Sequence, residues 1–374
     1  MLYLAIIYND KSLMAKNVLS KAKDAKQDEF YTQLPDVEKE LTHYRDHFFG
    51  KIIYLNCDDP DWSSFWLYFS YNFDFFGLKK IISTHYEDNG NSSYMLMLEE
   101  QYNANKPNIV KKTLKGNGDF RSDECIELLK EADIVVTNPP FSLFREYVAQ
   151  LIEYDKKFII IGNQNAFTYK EIFPLLQDDK MWTGYKNGDM AFKVPDWYET
   201  RPTRFWIDKN GQKWRSLGNI CWFTNLDIKK RYEDLVLTEF YEGNEDRYSF
   251  YDNYDAINVG KISEIPMDYE GVMGVPITFL NSHNPDQFEI LGLSQKVGFG
   301  LKSHKFYDDY IEVKGDGTPT GSSGKKTNGN PVLAGNPQKG NYYVNDNGDT
   351  AHSLYARIFI KNNRPISRKE MLGF

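Results

Sequence analysis

Apolar residues in this chain fall mainly into short β-branched runs separated by segments of helical spacing. Lys51–Asn56 (KIIYLN), Lys79–Thr84 (KKIIST), Asp133–Thr137 (DIVVT) and Lys157–Gly162 (KFIIIG) read as buried strands. Asp123–Ala132 and Phe144–Tyr154 carry apolar residues at helical intervals, and Asp36–Tyr44 predicts a further helix. Lys11–Lys26 alternates lysines with Leu13, Met14, Val18, Leu19 and Ala22, the pattern of an amphipathic helix on the flank of a core. Tyr94–Gln101 and Ile109–Leu114 read as a hairpin, and Glu171–Leu176 as a short helix kinked at Pro174. Beyond Met181, the stretches Met190–Val194, Thr203–Asp208 and Ile220–Asn225 predict antiparallel strands at the far end of the sheet. The alternation implies an open α/β sheet.

From about Lys229 the texture changes, as tyrosine, glycine, asparagine and proline rise and helical periodicity fades. The Gly/Ser/Asn/Lys-rich segment Lys314–Asn341 is expected to be disordered, or ordered only on a partner. Ala356–Lys361 predicts a last strand. The expected division is a first domain over 1–228 and a second, mixed and loop-rich region over 229–374.

The stretch with the most chemistry is Asp133–Phe141 (DIVVTNPPF). Two consecutive prolines end the strand and fix the direction in which the backbone leaves the sheet edge at Asn138. The helix Phe144–Tyr154 follows, so the turn lies at the carboxyl end of a strand, where open α/β sheets place their ligands. Neither proline has an N–H, which leaves both carbonyls outside any ladder. The Asn138 side-chain oxygen and the Pro139 carbonyl form a pair of acceptors suited to the two hydrogens of an exocyclic amine. Such a nitrogen is a weak nucleophile because its lone pair is delocalised; acceptors fixed in advance draw it toward an attacking geometry without reorganisation. Pro140 completes the rigid corner, and Phe141 offers a flat face to a planar base.

This tetrapeptide, Asn138-Pro139-Pro140-Phe141, resembles motif IV of amino-methyltransferases that use S-adenosylmethionine. Its wider setting resembles the EcoRI-type adenine-specific DNA methyltransferases. The matching stretches are Asp28–Gln33 (DEFYTQ), Asn56–Pro60 (NCDDP), Gly118–Phe120 (GDF), Trp222–Asn225 (WFTN) and Gly274–Gly292, in one order across nearly the whole chain. The resemblance implies a Rossmann-like methyltransferase sheet with helices on both faces, followed by a target-recognition region. It implies transfer of a methyl group from S-adenosylmethionine to N6 of an adenine extruded from duplex DNA. No metal is needed, because the electrophile is already cationic.

Cofactor contacts are expected along the same strand ends. By resemblance, Tyr31 and Thr32 meet the methionine part. Asp58 or Asp59, in a turn without the usual glycines, would hold its ammonium, while the other caps the helix starting near Trp62. Glu87, with Asp88 beside it, is the expected acceptor for ribose hydroxyls. In the resembling families an acidic-aromatic pair grips the cofactor's adenine, which gives Asp119 and Phe120 that place. His85 is expected to be a neutral structural residue, and Asn163–Phe167 (NQNAF) a polar loop flanking the target base.

Composition narrows the classes further. The 374 residues are 41% hydrophobic and 16% aromatic, ample for burial. No apolar run reaches a membrane span of roughly 18 residues, so a soluble, cytoplasmic protein is expected. The 3 cysteines, Cys57, Cys125 and Cys221, have no CxxC spacing and none follows a proline. That argues against disulfides, zinc and the cysteine chemistry of cytosine-C5 methylation. A net charge of -8 does not exclude a DNA partner, which needs only a locally basic face. Arg201–Arg215 supplies Arg201, Arg204, Lys209, Lys213 and Arg215 among aromatic residues. Arg357–Lys369 adds Arg357, Lys361, Arg364, Arg368 and Lys369 with no acid. These features favour double-stranded DNA over RNA or a protein glutamine amide as substrate. The intact Asn138–Phe141 motif opposes an inactive DNA-binding decoy. A cognate restriction endonuclease is the implied partner.

Overall fold

The computed structural model describes residues 30–57, 59–87, 93–99, 108–294, 301–337 and 339–373. The expected helix Lys11–Lys26 and the residues Asp58 and Asp88 lie outside them. The chain divides into two compact units, Met1–Gln164 with Thr183–Leu226 and Asn165–Trp182 with Asp227–Phe374.

The first unit is built on one nine-stranded mixed sheet. Its strands are β1 (Ile52–Leu55), β2 (Lys80–Thr84), β3 (Tyr94–Glu99), β4 (Asn108–Thr113), β5 (Ile134–Thr137), β6 (Lys157–Asn163), β7 (Trp182–Lys193), β8 (Phe205–Ile207) and β9 (Lys213–Thr224). They run in the order β4-β3-β2-β1-β5-β6-β9-β7, with β8 on β9. The central strands β2, β1, β5 and β6 are parallel, and β3, β4, β8 and β9 pair antiparallel with their neighbours. Every residue of β1 and of β5 is buried, as expected for β-branched strands covered on both faces. The chain leaves β1 toward β2 on one side and returns to β5 on the other. The order therefore reverses between β1 and β5, and the carboxyl ends of these two strands flank the switch point.

Helices α1 (Leu34–Leu41), α2 (Ser64–Tyr71), α3 (Asp123–Glu131) and α4 (Phe144–Glu153) accompany the sheet. Ser63 caps α2 by accepting from the Phe65 and Trp66 amides, and Ser122 caps α3 through the Cys125 amide. The cap of α2 is thus a serine, not one of the aspartates of the preceding turn. Glu40 on α1 is fully buried, yet it accepts from Tyr44 Oη at 2.7 Å and from the Tyr185 and Lys186 amides at 2.8 and 2.7 Å. A buried carboxylate so supplied with donors ties α1 to β7.

In the second unit, a four-stranded sheet orders Ile257–Asn258, Met273–Pro276, Arg357–Asn362 and Phe288–Leu293. A five-stranded sheet orders Pro319–Ser323, Ile311–Val313, Tyr342–Val344, Thr350–Ser353 and Val332–Ala334. Lys314–Asn341, expected to lack order by itself, thus supplies two strands of a sheet. Gly317 turns one hairpin at a φ of 83°. Val332 and Thr327 are fully buried, and Val332 N–H donates to Asn253 Oδ1 at 2.9 Å. The segment's partners, Asn253, Tyr254 and Tyr307, lie upstream, which is why local composition misjudges it. Pro174 likewise causes no kink, because it occupies the first turn of the helix Phe173–Gln177, where a missing N–H is tolerated. Among the described residues no helix is long and apolar enough to cross a membrane.

Candidate active site

The proline corner leaves the carboxyl end of β5 as the strand pattern requires, passing through a 3-10 turn, Phe141–Leu143, into α4. The Asn138 amide nitrogen donates to the Phe30 carbonyl at 2.7 Å and to Thr32 Oγ1 at 3.2 Å. Its Oδ1 is buried and has no protein partner among the described residues. An uncompensated buried oxygen is costly in a folded protein, so this one calls for a donor from outside the described residues. Pro139 is buried and its carbonyl accepts from no described residue, whereas Pro140 behaves differently. The Pro140 carbonyl accepts from the Leu143 amide at 3.0 Å, closing the 3-10 turn, so only one of the two proline carbonyls stays outside the local hydrogen bonding. The half-buried Phe141 ring is stacked on Phe30, centroids 5.5 Å apart and planes 28° off parallel, so one of its faces already has an aromatic neighbour.

Neighbouring strand ends bring most of the other expected residues to this end of the sheet. The Cys57 amide donates to Thr137 Oγ1 at 3.3 Å, joining the ends of β1 and β5. Asp59 follows; its Oδ1 accepts from the Asp61 amide at 2.9 Å, and its Oδ2 lies 2.9 Å from His85 Nδ1. His85 continues β2, and its Nε2 lies 3.9 Å from Glu87 Oε2. Burial opposes its protonation, but the Asp59 carboxylate beside it and the charges of Glu87 and Asp61 outweigh that and raise its pKa. His85 therefore sits between two expected cofactor ligands, with its protonated form favoured over that of a free imidazole.

The Glu87 amide donates to the Asn117 carbonyl at 2.8 Å, which brings the loop before α3 against the end of β2. Gly118 in this loop has a φ of 78°, and a Cβ there would overlap the His85 carbonyl oxygen. Only glycine permits that approach. Asp119 next to it is gripped by Arg121 through Nε at 2.9 Å and a terminal nitrogen at 2.7 Å; this hydrogen bonding holds its carboxyl below the usual range. Phe120 is 5% exposed and meets Tyr147 edge-on at 5.0 Å, and its carbonyl accepts from Gln150 Nε2 at 3.1 Å. Tyr147 in turn donates through its hydroxyl to Asn56 Oδ1 at the end of β1.

Tyr31 forms an isolated bridge with Lys193, and its ring meets Trp62 at 4.3 Å. Thr32 is buried, and its hydroxyl faces Asn138. Asn163 accepts from Asn219 Nδ2 at 2.7 Å at the end of β6. Sequence reasoning gave no role to Phe30, Asn56, Trp62, Arg121 and Tyr147, although Phe30 and Asn56 lie in stretches that carry the resemblance. Arg121 was accessible from its place two residues after Asp119. Trp62 and Tyr147 read as ordinary aromatic residues until the strand ends converge.

The basic segment Arg201–Arg215 runs into the β8–β9 hairpin, in which Trp206 faces Trp214 with rings parallel to 2°. Arg201, Arg204 and Lys209 are exposed, and Arg204 pairs with Asp189. Lys213 and Arg215 are instead tied to backbone. Lys213 Nζ donates to the Tyr198 carbonyl at 2.9 Å, and Arg215 donates to the Thr203 and Arg204 carbonyls at 2.5 and 3.2 Å. In the second basic segment, Arg364 pairs with Asp234 at 2.6 Å.

Comparison with known proteins bears on the family of the chain. Residues 18–363 match the model of the family described as adenine-specific methyltransferase EcoRI. The type II methyltransferase M.EcoRI of Escherichia coli is 52% identical over 301 residues, 76% of this chain and 92% of that protein. The type II methyltransferases M.MgeORF184P of Mycoplasma genitalium and M.MpnI of Mycoplasma pneumoniae are 42% and 41% identical over 276 residues, 73% of this chain and 84% of each. No solved structure matches the chain. A proline-locked amide at a strand end and a match over nearly the whole length lead to one conclusion: the chain is a member of the EcoRI family of adenine-specific methyltransferases.

Proposed function

We propose that the protein methylates N6 of an adenine in duplex DNA, using S-adenosylmethionine, and that the adenine is turned out of the helix to reach the proline corner. The observation that carries this reading is the buried, unpartnered Oδ1 of Asn138, whose amide nitrogen is already taken by Phe30 and Thr32. Oδ1 and the Pro139 carbonyl would accept the two amine hydrogens, and Phe141 would cover one face of the base. Because the acceptors are held before the substrate arrives, they stabilise the developing charge on nitrogen without reorganisation. A nucleophile that sheds its proton after attack needs no strong base beside it.

The residues at the strand ends fit the cofactor in kind. Asp59 is an acidic partner for an ammonium, Glu87 an acceptor for ribose hydroxyls, Asp119 an acceptor for an adenine amine, and Phe120 an aromatic wall. Support for this arrangement is the close approach at Gly118, which gathers Asp119 and Glu87 at one strand end. When bound, S-adenosylmethionine supplies the electrophilic methyl on its sulfonium. The strand order, with its reversal between β1 and β5, supports a Rossmann-like methyltransferase sheet as the frame. The region from 229 onward would read the target sequence, and exposed Arg201, Arg204 and Lys209 would meet phosphates, with Lys213 and Arg215 shaping the hairpin. A cognate restriction endonuclease and a cytoplasmic setting complete the reading.

The test is Asn138→Ala. Methyl transfer to unmethylated duplex DNA should fall by 100-fold or more, on the order expected for loss of one preorganised polar group, with S-adenosylmethionine binding retained. Equal loss of both in a folded variant, or undiminished transfer, would remove the assigned role.

A further inference from the structure

Asn138 can serve as an acceptor only if its side-chain amide keeps one orientation, and the structure contains the means to enforce this. A carbonyl oxygen can only accept a hydrogen bond, so Phe30, 2.7 Å from the amide nitrogen, forbids the flipped amide that would set two oxygens against each other. Thr32 Oγ1 takes the second N–H at 3.2 Å. Their segment is itself anchored on three sides: the Tyr31 amide donates to the Lys193 carbonyl at 3.0 Å, Ser64 Oγ donates to the Thr32 carbonyl at 2.7 Å, and Phe30 stacks on Phe141. One extended segment therefore holds both the amide and the ring of the proline corner.

We infer that Thr32 is a positioning residue for transfer, acting through Asn138 rather than as a ligand of the methionine part of the cofactor. The inference rests on the reading of Asn138 as the acceptor for the target amine. Without the hydroxyl, one amide N–H loses its partner, the amide swings about its remaining bond to Phe30, and Oδ1 spends less time aimed at the substrate.

The experiment compares wild type, Thr32→Val, Thr32→Ala, Thr32→Ser and Asn138→Ala. Single-turnover methylation of a duplex at saturating DNA and S-adenosylmethionine is measured beside calorimetric binding of S-adenosylmethionine. Val replaces the hydroxyl by a methyl at equal volume, and Ala is carried alongside so that a folded variant lacking the hydroxyl is in hand. Expected is a fall of about five- to tenfold in the saturated rate for Val and Ala, the effect of one neutral hydrogen bond, with cofactor affinity within twofold of wild type. Ser should restore the rate to within about twofold, because it keeps the oxygen. Weakened cofactor binding with an unchanged saturated rate would overturn the inference in favour of a cofactor contact. So would equal rates for all three Thr32 variants, whether low or undiminished. If Asn138→Ala itself retains the wild-type rate, the underlying reading fails; if Asn138→Ala is inactive while Thr32→Val is unaffected, only the present inference fails.

Discussion

Gly118→Ala probes the geometry on which the cofactor end of the site depends. An alanine at a φ of 78° must occupy the left-handed region, which costs roughly 1–2 kcal/mol for an L-residue. Its methyl would overlap the His85 carbonyl oxygen and lie 2.9 Å from Ser93 Oγ. Relief requires the loop to withdraw from the end of β2, which breaks the bonds from the Glu87 amide to Asn117 and from the Ser93 amide to Gly116, at 2.8 and 3.2 Å. At about 1 kcal/mol for each bond, the total loss is about 3–4 kcal/mol. Gly211→Ala is the matched control, because its φ is 80° but a Cβ there meets nothing within 4 Å. It should lose only the conformational part. Denaturant unfolding measures the difference between the two variants, and calorimetry measures S-adenosylmethionine affinity. Gly118→Ala should bind the cofactor at least about tenfold more weakly, since Asp119 and Phe120 move with the loop. If the two alanine variants are equally stable and bind the cofactor equally well, the loop does not press on His85, and the gathering of Glu87 and Asp119 at one strand end is wrong.

Other consequences are open to simpler tests. His85, whose folded pKa lies above the ordinary value near 6.5, adds stability that is full below about pH 6.5 and is lost as pH rises through the folded pKa; in His85→Gln the urea midpoint should no longer decline over that window. Phe141→Ala should weaken productive binding of the target base, seen as a rise in KM for DNA in steady-state kinetics, while S-adenosylmethionine affinity is kept. Lys209→Ala should reduce the slope of log affinity for DNA against log salt by about one, whereas Lys213→Ala should chiefly lower the melting temperature, because Lys213 holds the Tyr198 carbonyl. In the second unit Asn253 is fully buried and bonds Ser303, the Asn330 carbonyl and the Val332 amide, so Asn253→Leu should destabilise by about 2–4 kcal/mol in chemical unfolding.

The parallel strands, the proline corner and the helix behind it were legible in the chain, because β-branched runs, paired prolines and helical spacing act over a few residues. Asn138 and Pro139 could be proposed as acceptors for the same reason: the two groups lie in adjacent positions. Composition misjudged Lys314–Asn341, whose glycines and asparagines shape turns between strands that pack on upstream residues such as Asn253 and Tyr254. Two of the five basic residues of Arg201–Arg215, Lys213 and Arg215, also donate to backbone carbonyls, which composition does not reveal. Tertiary structure alone decided which way the Asn138 amide faces, since Phe30 and Thr32 lie 108 and 106 residues away along the chain. It also set His85 between Asp59 and Glu87, where its pKa is raised. Local sequence encodes periodicity and turn chemistry, but the partner of a hydrogen bond or a charge is set by which strand ends meet.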